Sequence, residues 1–504
     1  MPIAGLISKT GCDVSDPIRR MLSAMGCRGA AAPGAAVATA RTFPAADRGR
    51  VSRNPEKDRA LGYCGLKRSG ETSCHTIMDV AGAASLVFEG RLSGLTGVAG
   101  TTSNALQGSR RAYPGVASFA GVLTGDADAV ARSVARVVQG FRGSFSLALM
   151  DARRGVVARD VLGVEPLYWG ETAGYVGFAS ERKALWTIGI RPVAAFPPGH
   201  VAVISKDSVI QHRAVALQRP RRVDVSLEAA AERLQQLLPR VFQRCLEDGG
   251  DVGVFFSGGV DSSLVVKCLL DVGVTPVLYV AGLAASPDLA SAAKTAAELG
   301  CPLRRTVLSL DDVEATLPKV VYAVEEADVM TISVGLPLYC AAAAARRDGL
   351  RTVFSGQGAD ELFGGYARYG RRLKEGGVEA LGDALWQDVL TVAAVNVQRD
   401  KGIAWANRLD LVLPFLDLEV VRLATSFPPQ LKVGGATDGL RKHVLRATAR
   451  LVGLSAAVAE RPKKALQYGS GAQKAIRRIA RRRGFRGARE YLAAVFRTVF
   501  HEGQ

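Results

Sequence analysis

The run Val252-Gly253-Val254-Phe255-Phe256, followed at once by Ser257-Gly258-Gly259-Val260-Asp261-Ser262-Ser263, constrains this chain more than any other feature. Five residues without a polar side chain predict a parallel strand covered on both faces. The two glycines let the backbone turn sharply and approach a ligand, and the flanking serines add hydroxyl donors. A helix predicted over Ser262–Val272 points its N-terminus at the same place, where unpaired N–H groups and the positive dipole end favour an anion. In an open α/β sheet, ligands bind beyond the carboxyl ends of strands, so this junction reads as a phosphate site. Asp261 cannot serve phosphate binding, because like charges repel; its sensible role is to hold Mg²⁺ for a departing pyrophosphate. The competing reading is a plain glycine turn with Asp261 or Ser262 as helix N-cap. A Gly-Gly pair alone would leave that reading standing; the full seven-residue string at a strand–helix junction does not.

The surroundings of the loop continue the pattern. Ser226–Leu246 reads as a helix, Pro276–Val280 as a strand, Asp288–Leu299 as a helix and Leu303–Leu308 as a strand. Such alternation predicts a doubly wound α/β sheet. Residues 1–205 differ: short alternating strands with turn punctuation, such as Ala84–Phe88, Ser144–Met150 and Val201–Ile204. Two stretches, Arg28–Arg50 and Gly108–Gly115, are rich in Ala, Gly, Arg and Pro and read as loops or insertions. The aperiodic segment 206–225 is the expected linker, which leaves 226–504 as the second domain.

Length and charge narrow the classes further. A chain of 504 residues is long enough for two domains with separate cores. There is no secretory leader pattern and no run of 18 apolar residues, so neither a membrane partner nor export is expected. The eight cysteines are scattered without a C-x-x-C pair, which disfavours a disulfide framework or a zinc knuckle and makes a reduced, cytoplasmic location the default. Cys268 and Cys340 lie in apolar helical runs and read as core thiols. The net charge of +18 is diffuse except for the arginines at 477, 478, 481, 482, 483, 486 and 489. That run carries no interleaved aromatics, so a solvated helix face is expected there rather than a nucleic-acid partner.

A second string, Val353-Phe354-Ser355-Gly356-Gln357-Gly358-Ala359-Asp360-Glu361-Leu362-Phe363-Gly364-Gly365-Tyr366, again joins a short apolar strand to a polar, glycine-rich loop. Asp360 supplies a second carboxylate for Mg²⁺ or substrate. The first loop is similar to that of the ATP-pyrophosphatase superfamily. The two loops together resemble asparagine synthetase and its relatives, the β-lactam and carbapenam synthetases. Further strings carry the likeness: Ala281-Gly282-Leu283 with Ser286-Pro287-Asp288-Leu289, Val412–Asp417, Arg441-Lys442-His443-Val444-Leu445-Arg446, and Arg461–Gly469. Gln357 departs from it, since the family commonly has Glu there.

The resemblance implies ATP cleavage between the α and β phosphates and a carboxylate activated as its adenylate. It implies that Ser257, Gly258, Gly259, Asp261, Ser262, Ser355 and Gly356 contact ATP, with backbone contributions near Phe256 and Ala281, and that Asp261 and Asp360 hold Mg²⁺. Glu325 is similar to the carboxylate that assists attack on the adenylate; a carboxylate beside an amine removes its proton as the C–N bond forms. Its competing reading is an exposed acid of the Glu325-Glu326 pair on a helix. Lys442 resembles the lysine that steadies charge on the reacting carbonyl and phosphate, a task for a compact point charge; its competing reading is a surface lysine.

The same resemblance gives the first domain as an Ntn-type α+β sandwich, a glutaminase fold. It rests on Ile3–Leu6, Phe88-Glu89-Gly90, Arg159-Asp160, Pro166–Tyr168, Phe178–Leu185 and Phe196–Gly199. The catalytic parts do not match. The family's cysteine falls on Met1 and its glycine on Pro2, and neither supplies a thiolate. Glu89-Gly90 stands where the family has Asn-Gly, and an ionised carboxylate repels an oxyanion. The arginine-bearing strand that grips glutamine is not evident near Leu61–Leu66. Cys12, Cys27 and Cys64 lack the N-terminal amine that serves as base.

The expected fold is therefore α/β: an inactive Ntn-type sandwich, then a doubly wound ATP-pyrophosphatase domain with a helical C-terminal part. The expected activity is an asparagine-synthetase-like ligase taking aspartate, ATP and ammonia, with Mg²⁺. A homodimer and a separate glutaminase are left open as partners. The alternatives are a β-lactam-synthetase-like ligase acting on another carboxylate, a tRNA-modifying enzyme, and a silent scaffold.

Overall fold

The computed structural model describes residues 2–26, 51–53, 59–63, 78–80, 84–95, 119, 122–151, 154–246, 249–435, 440–462 and 466–500. Arg28–Arg50, Gly108–Gly115, Met1, Cys27, residues 64–66 and Lys463–Ala465 lie outside the described residues. The chain divides into two units, 1–217 and 218–504.

In the first unit, two six-stranded antiparallel sheets pack face to face. One runs in the order 194–195, 168–171, 175–179, 3–8, 59–63, 51–53, and the other 209–213, 200–204, 155–159, 141–151, 84–95, 78–80. Alternation along Ile3–Ser8 assigns the faces. Ile3 and Ile7 join Val87, Ala148, Val157 and Phe178 between the sheets. Ala4 and Leu6 face outward onto Ile18, Met21 and Leu22 of the helix Ser15–Ala24. The helix Ala127–Gln139 covers the other sheet through Val130, Val134 and Val138. Two sheets with helices on both outer faces make the four-layered sandwich that the resemblance implied. The strand Val209–Arg213 pairs with His200–Ile204 inside the segment expected to be linker. Its polar composition hid it, because it is an edge strand with one solvated face.

The second unit is organised by a five-stranded sheet whose pairings are all parallel: β1 (Val252–Phe255), β2 (Val277–Leu283), β3 (Leu303–Leu308), β4 (Thr352–Phe354) and β5 (Asp410–Val412), in the order β3-β2-β1-β4-β5. Every residue of β1 is buried. Helix α1 (Leu227–Cys245) begins at the side-chain cap of Ser226, whose Oγ accepts the N–H of Ala229. Helix α2 (Val260–Asp271) starts two residues earlier than the sequence pattern predicts, with Gly259 as N-cap instead of Asp261 or Ser262. Helix α3 (Pro287–Glu298) is capped by Ser286 and α4 (Leu310–Val324) by Ser309 in a full capping box. Helix α5 (Val329–Arg347) is long and apolar enough to cross a membrane by composition. Ile332, Leu336 and Ala342 on it are fully buried, as in a core helix. Short α6 (Ala359–Phe363), then α7 (Gln398–Ala406) and α8 (His443–Leu451), complete the frame of the site.

Outward from β1 the strand order runs to β2 and β3 on one side and to β4 and β5 on the other. The direction of winding reverses between β1 and β4, and the crevice of such a sheet opens at that reversal. The loops after these two strands are 257–259 and 355–358.

Candidate functional site

The first loop is built by its glycines. Gly258 has φ +68, and a Cβ there would lie 2.8 Å from the Ser291 carbonyl oxygen on α3. This position therefore needs glycine twice, for conformation and for room. The Ser257 and Ser262 hydroxyls stand 3.4 Å apart, and Ser262 Oγ donates to the Gly259 carbonyl at 3.2 Å. The strand end is pinned by Phe256 N–H donating to the Tyr279 carbonyl, one strand over.

The second loop leaves β4 with Ser355 N–H bonded to the Val412 carbonyl. Gly358, at φ +96, caps α6, and Gly364, at φ +76, ends it. The two loops touch: a Cβ on Gly356 would sit 3.0 Å from the Cβ of Asp261.

Lys442 closes the arrangement. Its side chain is 1% exposed and reaches both loops. Nζ donates to Asp261 Oδ1 and Oδ2 at 2.7 and 2.6 Å and lies 2.5 Å from Asp360 Oδ1. A surface lysine is thereby excluded. The reach depends on an unusual backbone: Arg441 and Lys442 both have positive φ, 43 and 61. It also depends on Gly365, where a Cβ would fall 1.8 Å from Asp360 Oδ1 and 2.3 Å from Lys442 Cε. Arg441 Nε donates to the Gly365 carbonyl at 3.1 Å, tying the strained turn to the loop it serves.

Glu325 stands on a separate element, at the end of α4. It is the left-handed C-cap of α4, with φ 58, and it is buried, so the reading of an exposed helix acid does not hold. Ala281 is buried in β2, and Gly282 beside it has no room for a side chain because a Cβ would meet Ser286 Oγ at 2.6 Å.

Three residues join the site without having been singled out from sequence. Arg461 Nη1 donates to the carbonyl of Ser257 at 3.1 Å, and its Nη2 lies 3.9 Å from Asp288 Oδ1. Asp288 is buried, and Gly469 presses so closely that a Cβ would fall 2.1 Å from its Oδ2. Arg461 thus fastens the first loop, while Gly469 and Ser470 lie against Asp288 and Leu283, with Leu283 N–H bonded to the Ser470 carbonyl. Glu361 is the third. Its Oε1 accepts from Tyr366 Oη at 2.5 Å and from Asn396 Nδ2 at 2.8 Å. Burial, and then the neighbouring Asp360 charge, push this carboxyl above its usual range. The strings 461–469, 286–289 and 353–366 contained these residues, but only tertiary packing reveals what each touches.

Gln357, the departure from the family pattern, has a partner. With its amide oriented to satisfy both neighbours, Nε2 donates to Asp400 Oδ2 and Oε1 accepts from Gly358 N–H, each at 3.2 Å. Asp400 is buried on α7 and paired with Arg399 Nε at 2.8 Å. A glutamate at 357 would face that carboxylate with like charge.

In the first unit, the strings Phe88-Glu89-Gly90 and Arg159-Asp160 prove structural. Glu89 is fully buried, and its Oε2 accepts from the hydroxyls of Ser146 and Ser180 at 3.1 and 2.7 Å; Ser180 Oγ in turn accepts from Ile3 N–H. Arg159 donates to the carbonyls of Glu165, Phe196 and Gly163. Asp160 accepts the backbone N–H groups of Phe145, Leu162, Val164 and Glu165. Burial raises the Cys268 thiol out of the reactive range and pushes Cys340 up to about 11, so both are core thiols. Arg482 and Arg483 of the basic run pair with Glu314, and Arg482 also with Asp311.

Against known proteins, residues 233–379 and 373–500 match the family model described as asparagine synthase, and residues 122–187 match the one described as a glutamine amidotransferase domain. A chain from Methanocaldococcus jannaschii, named as a glutamine-hydrolysing asparagine synthetase, is 34% identical over 412 residues, covering 71% of this chain and 75% of that one. The glutamine-hydrolysing asparagine synthetase B of Escherichia coli is 28% identical over 350 residues, 66% of this chain and 61% of its own length. The glutamine-hydrolysing asparagine synthetase of Homo sapiens is 27% identical over 339 residues, 61% of this chain and 59% of its own length.

Proposed function

Because this chain belongs to the asparagine synthase family, we propose that it is an ATP-dependent amide ligase that activates aspartate as β-aspartyl-AMP and forms the amide with ammonia. The observation that carries the proposal is the clasp of Asp261, Lys442 and Asp360 across two glycine-rich loops at the reversal of a parallel sheet.

A side-chain carboxylate oxygen of aspartate attacks the α-phosphorus of ATP and pyrophosphate leaves; ammonia nitrogen then attacks the activated carbonyl carbon and AMP leaves. The first loop offers the N-terminal N–H groups of α2 and the hydroxyls of Ser257 and Ser262 to the phosphates. Two carboxylates converging on one buried cation are the donor set a hard divalent ion prefers, so Asp261 and Asp360 would hold Mg²⁺, which neutralises the leaving pyrophosphate when bound. Lys442 is a buried point charge, positioned to stabilise the negative charge that develops on the carbonyl and α-phosphate oxygens. We assign Glu325, buried at the C-cap of α4, to accept a proton from the attacking ammonia.

The nitrogen donor is ammonia itself. Glu89 is locked by Ser146 and Ser180 in the place where the family's glutaminase offers an oxyanion donor. A buried carboxylate there disfavours a tetrahedral oxyanion. The first unit therefore acts as structure in this reading.

Pyrophosphate and asparagine are measured with ATP, Mg²⁺ and aspartate, supplied with ammonium in one reaction and glutamine in another. Turnover is expected with ammonium and not with glutamine. Turnover with glutamine alone would overturn the reading of the first unit, and pyrophosphate release with other acids but none with aspartate would overturn the substrate.

A further inference from the structure

Bordered by Glu361 of α6, the helix that follows the second loop, lies a cavity of about 20 Å³ that the proposed reaction does not use. Its wall includes Arg219, Arg222, Lys432, Trp386 and Glu361. Lys432 is 3% exposed, and among the described residues its ammonium makes no hydrogen bond and no ion pair. Burial, and then the guanidinium charges of Arg219 and Arg222, push it down to about 7. Those groups are crowded: a Cβ on Gly382 would lie 2.6 Å from Arg222 Nη2 and 2.8 Å from Arg219 Nη2. Their carboxylate partners, Glu379 and Asp383, are 77% and 66% exposed and sit on the solvent side. Three basic side chains thus line one space, with Glu379 and Asp383 paired to the arginines at its mouth and the carboxyl of Glu361 in its wall. Glu361 in the wall has its Oε1 held by Tyr366 and Asn396, while its buried Oε2 has no hydrogen-bond partner among the described residues. A buried, unpaired ammonium is expensive unless something neutralises it.

We propose that this cavity is a binding site for a small inorganic oxyanion of the phosphate class, held by Lys432 at its base and by Arg219 and Arg222 at its mouth. Guanidinium groups match the geometry of an oxyanion, and both arginines already line the space. The site is wired to the clasp from both directions. The Lys432 carbonyl accepts the N–H of His443, the residue after Lys442. Lys432 Cβ packs 3.5 Å from the place of a Cβ on Gly364, which precedes the glycine that Asp360 and Lys442 press against. An anion bound to Lys432 therefore braces the loops that carry both ends of the Lys442–Asp360 ion pair, and a rise in turnover with occupancy is its consequence for the ligase proposed above.

The test is a thermal-shift titration of the full chain with inorganic phosphate, against sodium chloride of equal ionic strength. A saturable stabilisation specific to phosphate is expected. Lys432→Met and, separately, Arg219→Met at the solvent mouth should each weaken it ~10–100-fold, the loss of one charge-assisted contact. Stabilisation that both variants keep would place phosphate on the Ser257–Ser263 loop and overturn the proposal, as would equal stabilisation by chloride. Because Arg219 is at the surface, its variant reports even if Lys432→Met fails to fold. Failure of the ligase assay leaves this binding test unaffected, so the two readings fall separately.

Discussion

Replacing Lys442 by Met removes the charge from the clasp while keeping most of its length and volume, so little of the effect is a cavity term. What remains is two carboxylates, Asp261 and Asp360, held toward one another by loops that Gly356 and Gly365 already press together. The Lys442 side chain is 1% exposed and each carboxylate side chain 18%, so solvent compensates only in part. Breaking a buried pair by removing one partner costs about 3–5 kcal/mol, against less than about 1 kcal/mol for an exposed bridge. The variant should therefore lose ~3–5 kcal/mol in the second unit at pH 7 without divalent ions, read as reduced protection of the α2 amides in native-state hydrogen exchange. Added Mg²⁺ should restore more stability to the variant than to the parent, because it substitutes for the missing ammonium. The aspartate-dependent pyrophosphate exchange should fall ~10²–10³-fold, the usual loss on removing one preorganised charge from an active site. A stability loss under about 1 kcal/mol, with exchange within threefold of the parent, would refute the view that the lysine balances the two carboxylates and serves the chemistry.

Glu325→Gln should leave pyrophosphate exchange within about twofold and slow asparagine formation ~10²–10⁴-fold, since only the second step needs the base; equal losses in both would remove Glu325 from that role. Gly258→Ala must take a left-handed conformation and meet the Ser291 carbonyl, so it should destabilise by ~1–3 kcal/mol and raise KM for ATP, read from urea midpoints and initial rates. Lys432 gives a pH signature. Its pKa of about 7 in the folded chain lies below the ordinary 10.5, so the unfolded chain binds more protons between those values and stability rises with pH across that window. The full span is about 5 kcal/mol. In phosphate-free buffer, Lys432→Met should therefore gain most at pH 6 and little at pH 10, and a gain that does not change with pH would contradict the burial of the charge.

The second unit was legible wherever local pattern and long-range packing agree. A continuous apolar run can only be an inner strand, so β1 and the loop after it stood out. A second string joining a strand to a glycine loop marked β4, but the strand order, and with it the reversal between β1 and β4, is visible only in the structure. What stayed hidden is the work of residues whose partners are far away in the chain. Arg461 reaches Ser257 across about 200 positions, and Lys442 reaches Asp261 across 181. Neither distance leaves a periodic trace, and burial of a charged side chain is the opposite of what its residue type suggests. Glu325 was ambiguous for the same reason: a Glu-Glu pair at the end of a helix reads as solvated until the neighbouring helices are packed over it. In the first unit the resemblance, not the alternation, implied the sandwich class, and the alternation showed short strands. It did not separate edge strand from linker at Val209–Arg213, where only one face is covered. Gln357 shows the limit most directly, since its meaning rests on Asp400, which no local pattern connects to it.

Two consecutive left-handed residues, Arg441 and Lys442, also set a boundary on how this protein can be improved. Glycine at 441 would relax the turn, and a screen for heat resistance alone should find it. Yet Arg441 also holds the Gly365 carbonyl, and a looser turn lets the neighbouring ammonium drift from its two carboxylates. Selection for endurance and selection for turnover thus pull against each other at the same two peptide units. Lineages that adapt to heat should leave this dipeptide alone and accumulate their changes elsewhere, in caps, loops and the outer helices.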